Sequence, residues 1–224
     1  MAALRTDGYD ILSGVFTLAE MRQLADVLSY ADVDRTRAGA RHILGVAAVR
    51  AVATDSRILA IAHSFIGPSA IPFRATLFDK SPDANWLVVW HQDTALPLRQ
   101  RNDSPEWGPW STKGGLLYAH APAWALEHVV ALRVSLDDSL KTNGPLRVLP
   151  GTHQEGVLTE DRIEQRAREM RPVDCLASAG SVVAIRPLTV HASSKARSDH
   201  RRRVLHIEYA ASTNLGAGIK LVAG

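Results

Sequence analysis

The chain has 224 residues, 46% of them apolar and 22% charged, with a formal net charge of +3; this suits one folded unit with a sizeable core and leaves no stretch that reads as disordered. The basic residues are scattered apart from His200-Arg201-Arg202-Arg203, too short a cluster for a nucleic-acid stripe, and no run nears the ~18 apolar residues of a membrane span. A single cysteine, Cys175, excludes an intramolecular disulfide, and Met1-Ala2-Ala3-Leu4 lacks the basic-then-apolar start of a signal peptide, so the expectation is a reduced, soluble, cytoplasmic protein without nucleic-acid or membrane partners.

The first third reads as helical. Thr17 with Glu20 makes a capping-box pattern, and Leu18, Met21, Leu24, Ala25, Val27 and Leu28 recur behind it at helical spacing. A second helix is expected over 55–65, where Ile58, Leu59, Ile61 and Ala62 are apolar and Gly67-Pro68 ends the pattern. Beyond Pro68, short runs rich in Val, Ile, Leu, Trp and Phe are divided by Gly, Pro, Asn and Asp. They predict strands over 71–78, 86–92, 128–136, 146–149, 181–185, 190–193 and 203–210. Between them lie a polar, tryptophan-bearing loop over 98–114 and a charged, helix-like stretch over 160–170. Helices followed by many strands predict an α+β, mainly β chain: one domain over 1–224, helical over about 1–67, with a barrel or double-sheet jelly-roll core over about 68–215.

Chemistry-bearing residues gather around those strands. His91 and Asp93 stand two apart at the end of a predicted strand, so an imidazole and a carboxylate share one face. His191, ending the run after Ser181, occupies a similar position. Two His and one carboxylate on one face of an octahedron, with the other positions open, is the ligand set of non-haem iron(II) oxygenases. Zinc would favour a tetrahedral set, often with cysteine. By itself His-x-Asp is common as surface decoration or a hydrogen-bonded pair. Arg202, eleven positions after His191, begins a strand-like run, and a buried guanidinium suits a carboxylate. Ser193 shares the strand face of His191 and could hydrogen-bond the same carboxylate. Arg201 and Arg203 read as solvated turn charges.

These features resemble the phytanoyl-CoA dioxygenase family. The likeness rests on Asp7-Gly8-Tyr9, His91-Gln92-Asp93, Leu136-Asp137-Asp138, Asn143-Gly144-Pro145-Leu146-Arg147-Val148-Leu149-Pro150-Gly151-Thr152-His153, His191 and Arg202, in the family's order across most of the chain. It implies a double-stranded β-helix (jelly-roll) core with N-terminal helices, and Fe(II), 2-oxoglutarate and O₂ as reactants. It further implies oxidation of a small-molecule substrate, most simply hydroxylation, with release of succinate and CO₂. By the same resemblance His91, Asp93 and His191 match the iron ligands, and Arg202 the arginine that binds the 5-carboxylate of 2-oxoglutarate. Ser193 matches the hydroxyl that assists it, and Lys80 falls where some members place a cosubstrate-contacting lysine. Asp93 argues against halogenation, which needs the carboxylate's place for chloride. The alternative is a metal-binding, cupin-like jelly roll without 2-oxoglutarate turnover, which would have no use for Arg202.

Other residues divide between site and scaffold. Asn143 to His153 reads as two tight turns around a short strand, with His153 bonded to backbone. His120 could face substrate or be a satisfied histidine, and Arg41 beside His42 could greet an anionic substrate or be a loop charge. His63, His128 and His206 lie in apolar runs and read as structural, while Trp90 points away from His91 into the core. The 98–114 stretch, with Trp107 and Trp110, is long enough to serve as a lid.

Overall fold

The computed structural model describes residues 2–102, 104–216 and 218–223. A short helix α1 (Ala2–Thr6) leads into β1 (Tyr9–Leu12) and the longer α2 (Leu18–Tyr30). A ribbon of β2 (Arg35–Thr36) and β3 (Gly39–Arg41) precedes helices α3 (Ala47–Ala53) and α4 (Ser56–Ile66). Then follow β4 (Ile71–Lys80), β5 (Val88–His91), β6 (Ala95–Leu98), β7 (Trp110–Lys113), β8 (Leu116–His120), α5 (Ala123–Leu126), β9 (Val129–Ser135) and β10 (Leu146–Val148). Helix α6 (Glu160–Glu169), β11 (Val173–Cys175), β12 (Val182–Ile185), β13 (His191–Ser193) and β14 (Arg202–Ala210) complete the set.

The strands form a jelly roll. One antiparallel sheet runs β1-β12-β9-β14-β4-β3-β2, a second runs β11-β10-β13-β5, and β6-β8-β7 form a third. Ala131, Val183 and Ile185 of the large sheet pack directly against Leu146, Val148 and Cys175 of the four-stranded one. Period-two alternation along β14 separates two environments. Leu205, Ile207 and Tyr209 join one apolar cluster with Met21, Leu24 and Ile58 from the helices. The alternate residues Arg202, Val204, His206 and Glu208 face the interior between the sheets, and that polar inner face is where the chemistry lies.

The seven strands and the helices expected from sequence are all present, with bounds shifted by a residue or two. The first 67 residues also contribute strands: β1 pairs with β12, and β3 with β4, so the large sheet is extended at both edges by the N-terminal part. Their shortness hid them, because four residues or fewer carry too little alternation to register. The stretch over 98–114, expected as a lid, is largely anchored. Trp107 is buried with Leu96, Leu98 and Leu126 and meets Trp124 edge-on at 6.1 Å, while Trp110 opens β7, which pairs with β8. Asp103, one of the residues that suggested a lid, lies outside the described residues. Among the described residues no helix is long and apolar enough to cross a membrane.

The capping box at α2 is formed in full: the Thr17 N–H donates to Glu20 Oε2 at 2.7 Å and the Glu20 N–H to Thr17 Oγ1 at 3.2 Å. Thr17→Ala removes one reciprocal partner and is expected to cost about 1 kcal/mol in chemical denaturation. An unchanged midpoint would mean that packing of Met21 and Leu24 alone sets the start of the helix.

Candidate functional site

Strands β5 and β13 lie side by side with His91 opposite His191. The pairing brings the two imidazole rings within 4.2 Å, centroid to centroid. Each ring is oriented the same way: Nδ1 of His91 meets the Val89 carbonyl at 2.8 Å, and Nδ1 of His191 meets the Thr189 carbonyl at 2.8 Å. A carbonyl can only accept, so Nδ1 carries the proton and each Nε2 keeps its lone pair. Both lone pairs converge on Asp93, whose Oδ1 lies 3.6 Å from His91 Nε2 and whose Oδ2 lies 3.4 Å from His191 Nε2. Asp93 leaves the strand by donating its backbone N–H to Pro187 O at 2.9 Å.

Gln92, between the two ligand candidates, points the other way and locks the segment. Its Nε2 donates to Gly156 O at 2.9 Å and Leu188 O at 2.7 Å, and its Oε1 accepts from the Leu158 N–H at 2.8 Å. Trp90 likewise turns from the site and packs against Leu149, Ile163 and Val190. Burial pushes the Asp93 carboxyl up, and imidazoles protonated at Nε2 pull it well below the usual carboxylate range; with the imidazoles neutral, that positive charge is what a metal ion would supply. One ligand atom from each of His91, Asp93 and His191 fits within 4.8 Å of the others. Donors around an octahedral ion bonded at ~2.1 Å stand roughly 3 Å apart. Two oriented nitrogen lone pairs and an ionised carboxylate at this spacing suit a divalent transition metal, and the exposed side of the triad leaves coordination positions open.

Deeper in the same interior lies a cationic pocket. Lys80 and Arg202 are paired across β4 and β14 and only 1% and 3% exposed. Lys80 Nζ donates to Ser193 Oγ at 3.0 Å and Ser194 O at 2.7 Å; Ser193 Oγ donates to Gly144 O at 2.9 Å, and Arg202 Nε to Asn143 O at 3.3 Å. All these partners are neutral. Among the described residues no carboxylate is bonded to Lys80 or Arg202; burial, then repulsion from Arg202 and Arg133, pushes Lys80 down to about 7, and burial, then repulsion from Arg133, pushes Arg202 down to about 9. The flanking arginines behave differently. Arg201 makes two bonds to Asp79, at 2.8 and 2.6 Å, and Arg203 bonds Asp137 three times at 2.8 Å. Only the middle arginine of the three is buried and left without a carboxylate, which in a low-dielectric interior calls for a bound anion.

Of the six residues named from sequence, His91, Asp93 and His191 are brought together as the triad, and Lys80, Ser193 and Arg202 form a second group that adjoins it through β13. Sequence reasoning read 143–153 as two turns around a short strand, with no part in the site. The Asn143 and Gly144 carbonyls in fact line the cationic pocket, and Gly144, at φ +69°, has no room for a Cβ, which would sit 2.3 Å from Ser194 O. His153 is bonded to backbone, Nε2 to Arg5 O at 3.1 Å, and His120 is held by Thr94 Oγ1 at 2.6 Å. Arg41 is exposed, and so is His128, which its apolar run had suggested was interior.

What sequence reasoning missed is a polar row across the inner face of β4, β14 and β9. Arg74 grips both oxygens of Glu208, Nη2 to Oε1 at 2.6 Å and Nε to Oε2. His206 Nε2 faces Glu208 Oε2 at 3.8 Å, and His206 Nδ1 accepts from Arg133 Nη1 at 3.0 Å. Burial, and then Arg133, push the His206 imidazolium far down, so His206 is neutral. The available signal was a charged residue at inward positions of otherwise apolar strands.

Comparison with known proteins follows the same lines. The family model for phytanoyl-CoA dioxygenase (PhyH) matches residues 4–204. An L-proline trans-4-hydroxylase of Streptomyces griseoviridis is 27% identical over 146 residues, so the match spans only about half of each protein, 54% of this chain and 54% of that one. Among solved structures, EctD from S. alaskensis with 2-oxoglutarate and 5-hydroxyectoine superposes with a TM-score of 0.72 at 20% identity, over 95% of this chain and 75% of that one. The α-ketoglutarate-dependent epimerase SnoN from nogalamycin biosynthesis gives 0.66 at 22% identity, over 97% and 85%. AviO1 from Streptomyces viridochromogenes Tue57 gives 0.67 at 20% identity, over 93% and 92%. At such identities the structural likeness speaks for the double-stranded β-helix fold.

Proposed function

The chain belongs to the phytanoyl-CoA dioxygenase family, and on that premise we propose that it is a non-haem iron(II)- and 2-oxoglutarate-dependent dioxygenase that hydroxylates a small molecule. The observation that carries this reading is the meeting, in one interior, of an open His-Asp-His triad with a buried cation pair that has no carboxylate bonded to it among the described residues. A metal-binding jelly roll without 2-oxoglutarate would need the first and have no use for the second. The hydroxylase activity named for the curated relative supports hydroxylation over other outcomes.

In this reading His91, Asp93 and His191 hold the iron. Arg202, Ser193 and Lys80 hold the 5-carboxylate of 2-oxoglutarate, with Arg202 presenting its guanidinium fork and Lys80 a point charge. Bound there, iron(II) would supply the activation of O₂ that couples decarboxylation of 2-oxoglutarate to succinate and CO₂ with oxidation of a substrate C–H bond. The chain's own part is placement: the Val89 and Thr189 carbonyls fix the imidazoles, Gln92 fixes the strand end, and the Asn143 and Gly144 carbonyls aim Arg202 and Ser193. A cytoplasmic setting goes with this reading, since ferrous iron is kept reduced there.

Lys80 gives the proposal a pH signature. Its ammonium is held down to about 7, and only the protonated form attracts a carboxylate. Below pH 7 the pocket is charged in advance. Above it, binding must take up a proton, so the Kd for 2-oxoglutarate is expected to rise by up to tenfold per pH unit. Calorimetric titration at pH 6.5, 7.5 and 8.5 reads this directly, and Lys80→Met should flatten the profile. A flat wild-type profile would remove Lys80 from the cosubstrate site.

A further inference from the structure

Resting on that reading, the charges inside the barrel can be matched one against another. The two positive charges of iron(II) match the two negative charges of 2-oxoglutarate. Asp93 belongs to the metal, and Arg74 is matched by Glu208, which it grips through both oxygens. With Lys80 and Arg202 both given to the 5-carboxylate of 2-oxoglutarate, Arg133 is left with no carboxylate bonded to it among the described residues.

Its surroundings sharpen the point. Arg133 lies on the inner face of β9, in the row that pairs it with His206 of β14. A guanidinium has five N–H donors, and among the described residues only one is engaged in a hydrogen bond, Nη1 to His206 Nδ1 at 3.0 Å. The flat face of the group rests 5.2 Å over the Phe78 ring, a contact that fixes its plane and leaves the fork edge free. Arg133 shares its face of β9 with Ala131, which packs against Val148, the β10 residue paired with His191, so it projects into the interior that holds the triad and the cationic pocket. Yet both carboxylates of 2-oxoglutarate are already assigned, one to the metal and one to Arg202. A partly buried, oriented guanidinium in the same interior, with most of its donors unused among the described residues, is a binding group for something else.

We propose that Arg133 binds a carboxylate of the substrate, so that this oxygenase acts on a small carboxylic acid. His206 holds the guanidinium from one side, and the Arg74–Glu208 pair holds His206. The bidentate match between a guanidinium fork and a carboxylate would orient the substrate relative to the iron as well as retain it.

The test uses protein loaded with iron(II) and saturated with 2-oxoglutarate without oxygen, to which free amino acids (L-proline among them), hydroxy acids and sugar acids are titrated, each beside its primary amide. The wild type is expected to bind acids and to bind the matching amides ~30-fold more weakly or worse. Arg133→Gln should lose about that factor for the acid, leave the amide unchanged and keep the Kd for 2-oxoglutarate within about threefold. Arg133→Lys, which keeps the charge without the fork, should fall between the two and serves if the glutamine variant folds poorly. Equal binding of acid and amide by the wild type would overturn the proposal, and so would an Arg133→Gln variant with unchanged acid affinity. A variant that loses 2-oxoglutarate instead would assign Arg133 to the cosubstrate. If wild-type protein binds iron but never 2-oxoglutarate, the reading beneath this inference fails first.

Discussion

Asp93→Ala is expected to release bound iron, weakening it by at least ~100-fold. Loss of an orienting partner outside the coordination shell already costs 10–100-fold in metal affinity, and Asp93 supplies the only negative charge of the triad. Two imidazoles held by the Val89 and Thr189 carbonyls would remain, with their Nε2 atoms facing a gap. Metal analysis after dialysis at equal protein concentration measures the effect. His120→Ala is the control, since His120 is bonded to Thr94 and lies outside the triad. Full iron retention by the Asp93 variant, or loss in the His120 variant, would move the metal elsewhere.

Arg202→Ala is expected to weaken 2-oxoglutarate by two decades or more while leaving iron bound. Removing one partner of a desolvated charge pair costs several kcal/mol, and each 1.4 kcal/mol is tenfold in affinity. Arg201→Ala and Arg203→Ala make the register explicit. Each of those residues spends its charge on a carboxylate of its own, Asp79 or Asp137, and so has none to offer the cosubstrate. Both variants should therefore bind 2-oxoglutarate nearly as the wild type does. A large loss in either one, with Arg202→Ala unaffected, would place the cosubstrate on a different face of β14.

The chain's sequence carried these sites unevenly. His91, Asp93 and His191 were readable because strand ends and a period of two put side chains on one face without any knowledge of the partner strand. Helices followed by many strands already suggested a barrel or jelly roll, and strand position suggested Arg202 and Ser193; the resemblance carried by motifs such as Asn143 to His153 narrowed the fold to a double-stranded β-helix and added Lys80. Periodicity found β4, β9 and β14, which are long, and missed β1, β2 and β3, whose two to four residues pair only because the large sheet offers them an edge. The 98–114 stretch looked like a lid because its polar residues outnumber its apolar ones. Trp107 reverses that impression: one large side chain buried among Leu96, Leu98 and Leu126 anchors the segment. Arg133, Arg74 and Glu208 were invisible for a different reason. Each is an isolated charge in an apolar strand, and only the registers β4–β14 and β14–β9 bring them into one row.

The central claim is that one interior holds iron and 2-oxoglutarate together, and it is tested most directly by titrating 2-oxoglutarate into the protein without oxygen, with and without iron(II). Calorimetry should give one equivalent bound tightly to the iron-loaded wild type and much more weakly to the metal-free protein, with the iron-dependent gain absent in Asp93→Ala and binding to the iron-loaded protein reduced ~100-fold or more in Arg202→Ala. Binding that is absent, or that is the same with and without iron, would contradict it.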